Sequence, residues 1–395
     1  MKKYQQLLLF IISVVSLSLL LIYRHEYNRL HYVLEVFNFF GQPCNFSDLQ
    51  FTEHVLGHHD WGVEPSWQEN ENIYIYSAFW SKKQEAKVIV IHTEQSDVAR
   101  NCYLWFEDKH KPIIGKFKYS KIESDALNGQ FAYFYYCVFT STELAPYAVS
   151  FSSTNKKSNK LKKILLTIVK PHKRSINTTI CVSPTEFNKS YFVEFLSYHK
   201  LIGVDNFIFY GNSIPHRLSK IITNLSNRIG IKITFLAWNY PKTEGALIRT
   251  IIENDCLLRT MESSKNVITL ELDEYIVPSQ HYSLNDIISN YESKERLSLP
   301  VQRFCIKTTN RRKPIALQNT EVTYDNDTTV RYIYLNNQED NVVATQAIPK
   351  GVASIHKYLM CQKKSVRVYN DNSILKFSTD LLRSTLVQLN LHDHI

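Results

Sequence analysis

The sequence predicts an α/β fold that is preceded by a β-rich unit and by an apolar amino-terminal helix. Three observations support this: strand and helix patterns alternate after residue 176, short aromatic and β-branched runs fill 72–172, and an uncharged apolar run covers 4–23. At 395 residues the chain is longer than one ordinary domain and suits two. Its 44% hydrophobic and 21% charged residues exclude a wholly disordered chain.

The amino-terminal apolar run predicts a membrane anchor. Residues 4–23 include no charge, and twenty helical residues rise about 30 Å, which is enough to cross the hydrocarbon core of a bilayer. A cleaved signal peptide is the alternative, because Lys2 and Lys3 form a short basic start. No small-x-small cleavage site follows the run. We therefore expect a cytoplasmic tip and anchor over 1–23, an irregular polar stem over 24–71, and a body in the secretory pathway.

The segment 72–172 predicts a β-rich unit of the sandwich type, because no helical pattern interrupts its strand-like runs. These runs cover residues 73–76, 87–91, 102–106, 131–139, 147–151 and 164–169.

The basic surplus of the chain is a net charge of +9, and much of it lies in the lysine-rich run 156–163. Such a block of like charges usually forms a solvated loop, so we predict no nucleic-acid partner.

The seven cysteines show no C-x-x-C spacing, which argues against a zinc site. Cys181 and Cys256 fit either a disulfide or two buried thiols.

After residue 176 the order β-α-β-α-β-α-β predicts a parallel sheet, whose ligands bind at the carboxyl ends of its strands. The predicted strands cover 178–182, 206–210, 231–236 and 266–270, and the predicted helices cover 191–201, 215–228 and 244–261.

An acidic turn follows the fourth predicted strand. Glu271 and Asp273 stand at positions i and i+2, so on an extended chain they share one face. Two such carboxylates repel each other unless a cation lies between them, and hard divalent ions prefer oxygen ligands. The pattern therefore favours a Mn²⁺ or Mg²⁺ site, although an exposed acidic turn has the same sequence pattern.

The acidic turn and its surroundings resemble the core of glycosyltransferase family 92. The matching residues are Cys181–Pro184, Ala237–Trp238, Asn254–Leu257 and Val267–Pro278. The resemblance implies a GT-A-type nucleotide-sugar-binding domain over 176–395 in a single-pass type II protein of the Golgi lumen. It also implies inverting β-galactosyl transfer from UDP-galactose, with Mn²⁺ or another divalent ion, onto a glycan of a glycoprotein or glycolipid.

The same resemblance implies a set of site residues. His356 corresponds to a late histidine that would complete the metal site with Glu271 and Asp273. The candidates for binding the donor nucleotide are Asn212, Trp238, Asn254 and Asp255. For Asn254 and Asp255 a supporting role through hydrogen bonds fits equally well. The catalytic base is not identified, and position alone suggests Glu321, Asp325 and Asp327.

Two residues depart from the pattern of the family. Glu271 stands where its acidic motif usually opens with Asp, and Gly211 stands where an Asp usually follows the tyrosine. These departures leave open a catalytically weak or inactive member that acts as a carbohydrate-binding or scaffold protein. A phosphodiester-cleaving enzyme that uses the same two carboxylates is a third reading.

Overall fold

The structure is a computed structural model that describes part of the chain. The described residues are 15–19, 67–70, 73–81, 83–92, 101–106, 109, 111–125, 129–139, 145–152, 164–169, 176–185, 188–211, 216–241, 245–280, 283–291, 296–307, 310, 313–323, 328–335, 344–361 and 368–392. Of the expected anchor, only residues 15–19 are described, and they are helical; the rest of it and nearly all of the stem lie outside. No described helix combines the length and the apolar character needed to span a bilayer.

The β-rich segment forms one sheet that closes on itself. Its strand order is β1-β2-β3-β6-β5-β4-β7-β8, and a further parallel pairing of β2 with β8 closes the ring, with β1 paired to β2 beside it. The expected sandwich is therefore a barrel, with a single apolar core inside it. The strands are β1 (Gln68–Asn70), β2 (Ile73–Ser81), β3 (Glu85–His92), β4 (Asn101–Trp105), β5 (Ile113–Asp125), β6 (Gln130–Val138), β7 (Ala148–Ser152) and β8 (Ile164–Val169).

The four parallel strands of the second sheet confirm the alternating pattern predicted from the sequence. They lie in the order β11-β10-β9-β12, and the three predicted helices connect them. The elements are β9 (Ile176–Val182), α1 (Lys189–Leu201), β10 (Asn206–Tyr210), α2 (His216–Ile229), β11 (Lys232–Leu236), α3 (Ala246–Thr260) and β12 (Ser264–Leu270).

Mainly antiparallel strands extend this sheet beyond β12, one short helix follows β13, and further short helices follow β19. The strands are β13 (Glu274–Pro278), β14 (Arg296–Cys305), β15 (Glu321–Thr323), β16 (Val330–Leu335), β17 (Thr345–Ala347), β18 (Ala353–Leu359) and β19 (Val368–Asn370). The helices are α4 (Leu284–Ser289), a 3₁₀ helix (Ser373–Phe377), α5 (Ser378–Arg383) and α6 (Thr385–Leu391). β16 runs antiparallel to β12, and β18 pairs with both β13 and β14.

Helix α3 lies between the barrel and the parallel sheet. Its apolar residues Leu247, Ile248, Ile251 and Ile252 pack in one cluster with side chains from both sheets. A disulfide between Cys181 and Cys256 joins the helix to β9, which settles the alternative left open by the sequence. Two further disulfides are Cys102–Cys137 in the barrel and Cys305–Cys361 between β14 and the end of β18.

Candidate functional site

The acidic turn lies at the carboxyl edge of the parallel sheet. β12 ends at Leu270, residues 271–273 make the turn, and β13 begins at Glu274. Beside the turn, the chain leaves β9 at Ser183, whose backbone N–H donates to the carbonyl of Leu270 at 2.9 Å. This edge is where ligands of open α/β sheets bind.

Three cationic side chains surround the carboxylates of the turn. Arg249 and Lys357 each form an ion pair with Glu271. Arg331 binds Glu274 through two hydrogen bonds, and its Nη2 lies 3.9 Å from Glu271. The Glu271 side chain is 31% exposed and that of Glu274 is 0% exposed, so the cluster opens toward solvent at Glu271.

The environment affects the acids of the turn differently. Burial alone would raise the pKa of Glu274, but the hydrogen bonds and charge of Arg331 outweigh it and lower this pKa. Burial raises the pKa of Asp273 to about 6, and nearby Lys357 only partly opposes this. Burial also lowers the pKa of Arg249. Glu274 is therefore a buried structural anion, whereas Asp273 lacks sufficient compensation for its charge.

Three buried polar atoms at this edge have no hydrogen-bond partner among the described residues. They are Ser183 Oγ, Arg249 Nη1 and Asp273 Oδ1. An unpaired buried polar group costs free energy, and native proteins retain few of them. Ser183 Oγ and Arg249 Nη1 can donate hydrogen bonds, and Asp273 Oδ1 can accept one. At the carboxyl edge of a parallel sheet, these are the groups that a polar, anionic ligand would contact.

Two of the three predicted metal ligands suit a divalent cation. The buried Oδ1 of Asp273 lacks a partner, and Glu271 is the most exposed acid of the ion-pair cluster, although a cation there would displace Arg249 and Lys357. His356 is not placed to bind the same cation. Within the described ranges no three His, Cys, Asp or Glu side chains lie close enough to hold a metal ion.

The position of His356 follows from strand geometry. β18 pairs Lys357 with Glu274 and His356 with Tyr275. Neighbouring residues of a strand point to opposite faces, so Lys357 faces the acidic cluster and His356 faces away. Its imidazole is fully buried and stacks on Phe304 at 4.1 Å between ring centroids. The structure therefore does not bring together the three-ligand site expected from the sequence.

The predicted nucleotide-binding residues occupy different surroundings. Asn212 lies outside the described residues. Trp238 is buried in an aromatic cluster, with its ring centroid 5.3 Å from that of Trp67. Asn254 donates to the carbonyl of Thr250 on its own helix at 2.7 Å. Asp255 is fully buried, and side chains occupy both of its carboxylate oxygens.

Of the three suggested catalytic bases, only Glu321 belongs to the described residues. Glu321 forms an ion pair with Lys307, and Asp325 and Asp327 lie outside the part of the chain that is described.

The basic half of the site was not predicted from the sequence. Arg249 precedes the acidic turn by 22 residues, and Arg331 and Lys357 lie on β16 and β18, far along the chain. Only the pairing of β16 with β12, and of β18 with β13, brings these side chains to the turn. One signal was present: Glu274 extends the acidic motif, and three acids within four residues need cations nearby.

Comparison with known protein families identifies the family of this chain. Residues 176–385, just over half of the chain, match the family profile described as Glycosyltransferase family 92. The chain therefore belongs to glycosyltransferase family 92.

Two individual matches are weaker. A rice protein (Oryza sativa subsp. japonica) described as a glycosyltransferase family 92 protein is 25% identical over 127 residues, which are 32% of this chain and 21% of that protein. The match thus spans about a fifth of that relative. A nucleoside-diphosphate-sugar pyrophosphorylase from Vibrio cholerae RC9 aligns with 52% of this chain and 100% of its own, with 12% identity and a TM-score of 0.23. A TM-score this low does not establish a shared fold.

Proposed function

We propose that the protein is a hexosyltransferase that moves galactose from UDP-galactose, with inversion, onto a glycan of a glycoprotein or glycolipid. The observation that carries this proposal is the pair of unpaired donors, Ser183 Oγ and Arg249 Nη1, beside a basic cluster at the carboxyl edge of the sheet. Such a group of donors suits the diphosphate of a nucleotide sugar, which is the donor class expected for a glycosyltransferase.

The basic side chains would act on the leaving group. Negative charge develops on the diphosphate as its bond to the sugar breaks, and preorganised donors in a partly dry site stabilise that charge. Arg249 and Lys357 are 20% and 16% exposed, so they lie at the open side of the cluster. Arg331 is 8% exposed and is fixed on Glu274, so we assign it to holding the turn rather than to the donor.

A divalent ion fits beside these cations. Asp273 and Glu271 would hold it, and when bound it would supply Lewis-acid neutralisation of the diphosphate. Asp273 contributes a carboxylate whose buried oxygen lacks a partner. Glu271 would exchange its ion pairs with Arg249 and Lys357 for the metal, which would free both cations for the phosphate oxygens.

The three disulfides support a body in an oxidising compartment, such as the lumen of the secretory pathway. Alkylation of the unreduced, denatured protein followed by mass spectrometry tests this. With six of the seven cysteines paired, we expect one labelled thiol at most. Labelling of all seven would contradict the oxidised state and the lumenal assignment. The anchor over 4–23 stays a prediction, which sequencing of the mature amino terminus checks.

A donor screen tests the proposed transfer directly. The purified protein is incubated with a panel of UDP-sugars, Mn²⁺ and mixed glycan acceptors, and the transferred sugar is detected by mass spectrometry. We expect UDP-galactose to give the largest product signal and the Asp273→Asn protein to give none. Release of free sugar without any glycan product would favour hydrolysis instead.

One observation favours a second candidate, a carbohydrate-binding or scaffold protein of the same family. Both oxygens of Glu271 are engaged by cations, so the protein itself already neutralises this carboxylate. This candidate predicts that the protein binds glycans but neither binds UDP nor turns over any UDP-sugar. Calorimetric titration with UDP and Mn²⁺ separates the two.

A further inference from the structure

Asp255 is a buried residue, and both oxygens of its carboxylate accept hydrogen bonds. The hydroxyl of Ser77 donates to Oδ1, and the hydroxyl of Tyr210 donates to Oδ2 at 2.6 Å. Arg259 adds two hydrogen bonds, from Nε at 3.0 Å and from Nη2 at 3.1 Å. Asp255 itself is fully buried. A carboxylate in such a place persists only because its donors satisfy it.

These four residues come from three parts of the fold. Ser77 belongs to β2 of the barrel, Tyr210 ends β10 of the parallel sheet, and Asp255 and Arg259 lie on α3. The guanidinium of Arg259 also stands over the ring of Phe79, in β2, at 5.4 Å. One carboxylate therefore fixes α3 to the barrel and to the sheet at the same point.

The same helix carries Arg249 to the acidic turn. Arg249 precedes Asp255 by six residues, which is about 9 Å along a helix. On the sheet side of the helix, a disulfide joins Cys256 of α3 to Cys181 of β9. Cys181 is two residues before Ser183, so the disulfide holds α3 close to the edge where Ser183 lies. Asp255 and Cys256 together set the rotation and position of α3. Those two quantities decide where the guanidinium of Arg249 lies.

We propose that Ser77 and Asp255 are positioning residues: the barrel holds α3 so that Arg249 is presented to the diphosphate of the donor. The β-barrel is then an integral part of the active site. This inference rests on the proposed function for the identity of the ligand, but the mechanical link from Ser77 to Arg249 does not depend on it.

The test uses the whole protein and the substitutions Ser77→Ala and Tyr210→Phe, each of which removes one hydroxyl donor. The probe is UDP with Mn²⁺, measured by calorimetry, together with kcat and KM for the donor. We expect each variant to weaken UDP binding and raise the donor KM about 3- to 10-fold, with the acceptor KM unchanged. In an Arg249→Lys background, Ser77→Ala should add little further loss, because both act through one guanidinium.

Ser150→Ala is the matched control. Ser150 is also buried in the barrel, on β7, and its hydroxyl accepts from Trp105 Nε1 at 2.9 Å. We expect this variant to unfold at a lower temperature but to keep the wild-type affinity for UDP. If Ser77→Ala behaves like this control, the network is merely structural and the proposal is overturned.

Hydrogen–deuterium exchange separates a failure of this proposal from a failure of the proposed function. In Ser77→Ala we expect faster exchange in peptides that cover 245–255, including the first turn of α3. If the wild-type protein binds no UDP but this exchange still increases, the proposed donor is wrong and the positioning role stands. Unchanged exchange in a folded Ser77→Ala protein overturns the positioning role whatever the ligand is.

Discussion

Arg331 and Glu274 form a buried two-point ion pair under the acidic turn. The Nε of Arg331 donates to Oε2 of Glu274 at 3.0 Å, and its Nη2 donates to Oε1 at 2.5 Å. Oε2 also accepts the backbone N–H of Glu271 at 3.0 Å. The pair thus fixes the backbone of the turn, and it keeps Glu274 ionised although that side chain is fully buried.

The first prediction is that Arg331→Met destabilises the protein by about 3–5 kcal/mol, because it leaves the carboxylate of Glu274 buried with incomplete pairing. Urea unfolding measures the change. Lys307→Met is the control: Lys307 pairs with Glu321 at the surface, where ion pairs contribute less than about 1 kcal/mol. Equal losses for the two variants would mean that the Arg331 pair does not stabilise the turn.

The second prediction separates activity from stability at Asp273. Asn has nearly the same shape, so Asp273→Asn should keep the fold while lowering the transfer rate at least about 100-fold. Burial raises the pKa of Asp273 to about 6, and its Oδ1 has no partner, so removing the charge should leave the melting temperature unchanged or higher. Full transfer activity in the folded variant would mean that the acidic turn is structural.

The sequence predicted the parts of the site that are contiguous in the chain. The strand Ser264–Leu270 and the acids that follow it read directly as a hydrophobic run that ends in a polar turn. The positions of Arg331 and Lys357 depend on antiparallel pairing between distant strands, and no local pattern reports that pairing. The acidic half of the cluster was therefore visible in the sequence, and the basic half was not.

Two features of the structure were not anticipated from the sequence, and each has a local physical cause. Strand β5 was not predicted, although lysines alternate with apolar residues along part of it as in a half-buried strand; Gly115 interrupts its short apolar start. His356 was predicted as a metal ligand without knowledge of the register in which β18 pairs with β13. A shift of one residue along a strand moves a side chain to the other face, which is why Lys357 reaches the acids and His356 does not.

The third prediction is that His356→Ala leaves the Mn²⁺ concentration for half-maximal activity unchanged. Burial lowers the pKa of His356 to about 3, so it is a neutral ring packed in the core. Its loss should cost roughly 2–4 kcal/mol of stability by leaving a cavity. Metal titration at a temperature where the variant is folded provides the measurement. A tenfold higher requirement for Mn²⁺ would restore His356 as a ligand.

The fourth prediction concerns pH and Glu194 on α1. This carboxyl accepts backbone hydrogen bonds from Ile315 at 2.7 Å and Ala316 at 2.8 Å. Burial raises its pKa to about 7 despite these bonds. The folded state therefore holds a proton that the unfolded state has released between pH 4.5 and 7, so stability falls as pH rises through this window.

Glu194→Gln should remove that slope, which amounts to roughly 3 kcal/mol across the window. Urea unfolding at half-unit steps from about pH 4.5 to 7.5 gives the slope for both proteins. The comparison concerns the slope and not the absolute stability, because Gln keeps only one acceptor for the two backbone donors. An identical pH slope in the variant would show that Glu194 does not titrate in this range.

The fifth prediction concerns Gly211, which follows β10 and stands where the resemblance to family 92 implies an Asp. A Cβ at this position would meet no heavy atom within 4 Å, and the backbone is not in the left-handed region. Gly211→Asp should therefore fold normally, with stability equal to that of the wild type or higher by about 0.4–1 kcal/mol. Gly211→Ala supplies the same Cβ without the carboxylate and is the matched control.

If the donor nucleotide binds at this edge of the sheet, the new carboxylate can accept a hydrogen bond from it. We expect Gly211→Asp to tighten UDP binding 5- to 10-fold in calorimetry, which is about 1.0–1.4 kcal/mol. Gly211→Ala should bind UDP as the wild type does, because it adds no acceptor. Should both variants match the wild type, the nucleotide does not reach Gly211. Weaker binding in the Asp variant alone would place the diphosphate, rather than a hydrogen-bond donor of the nucleotide, beside this strand end.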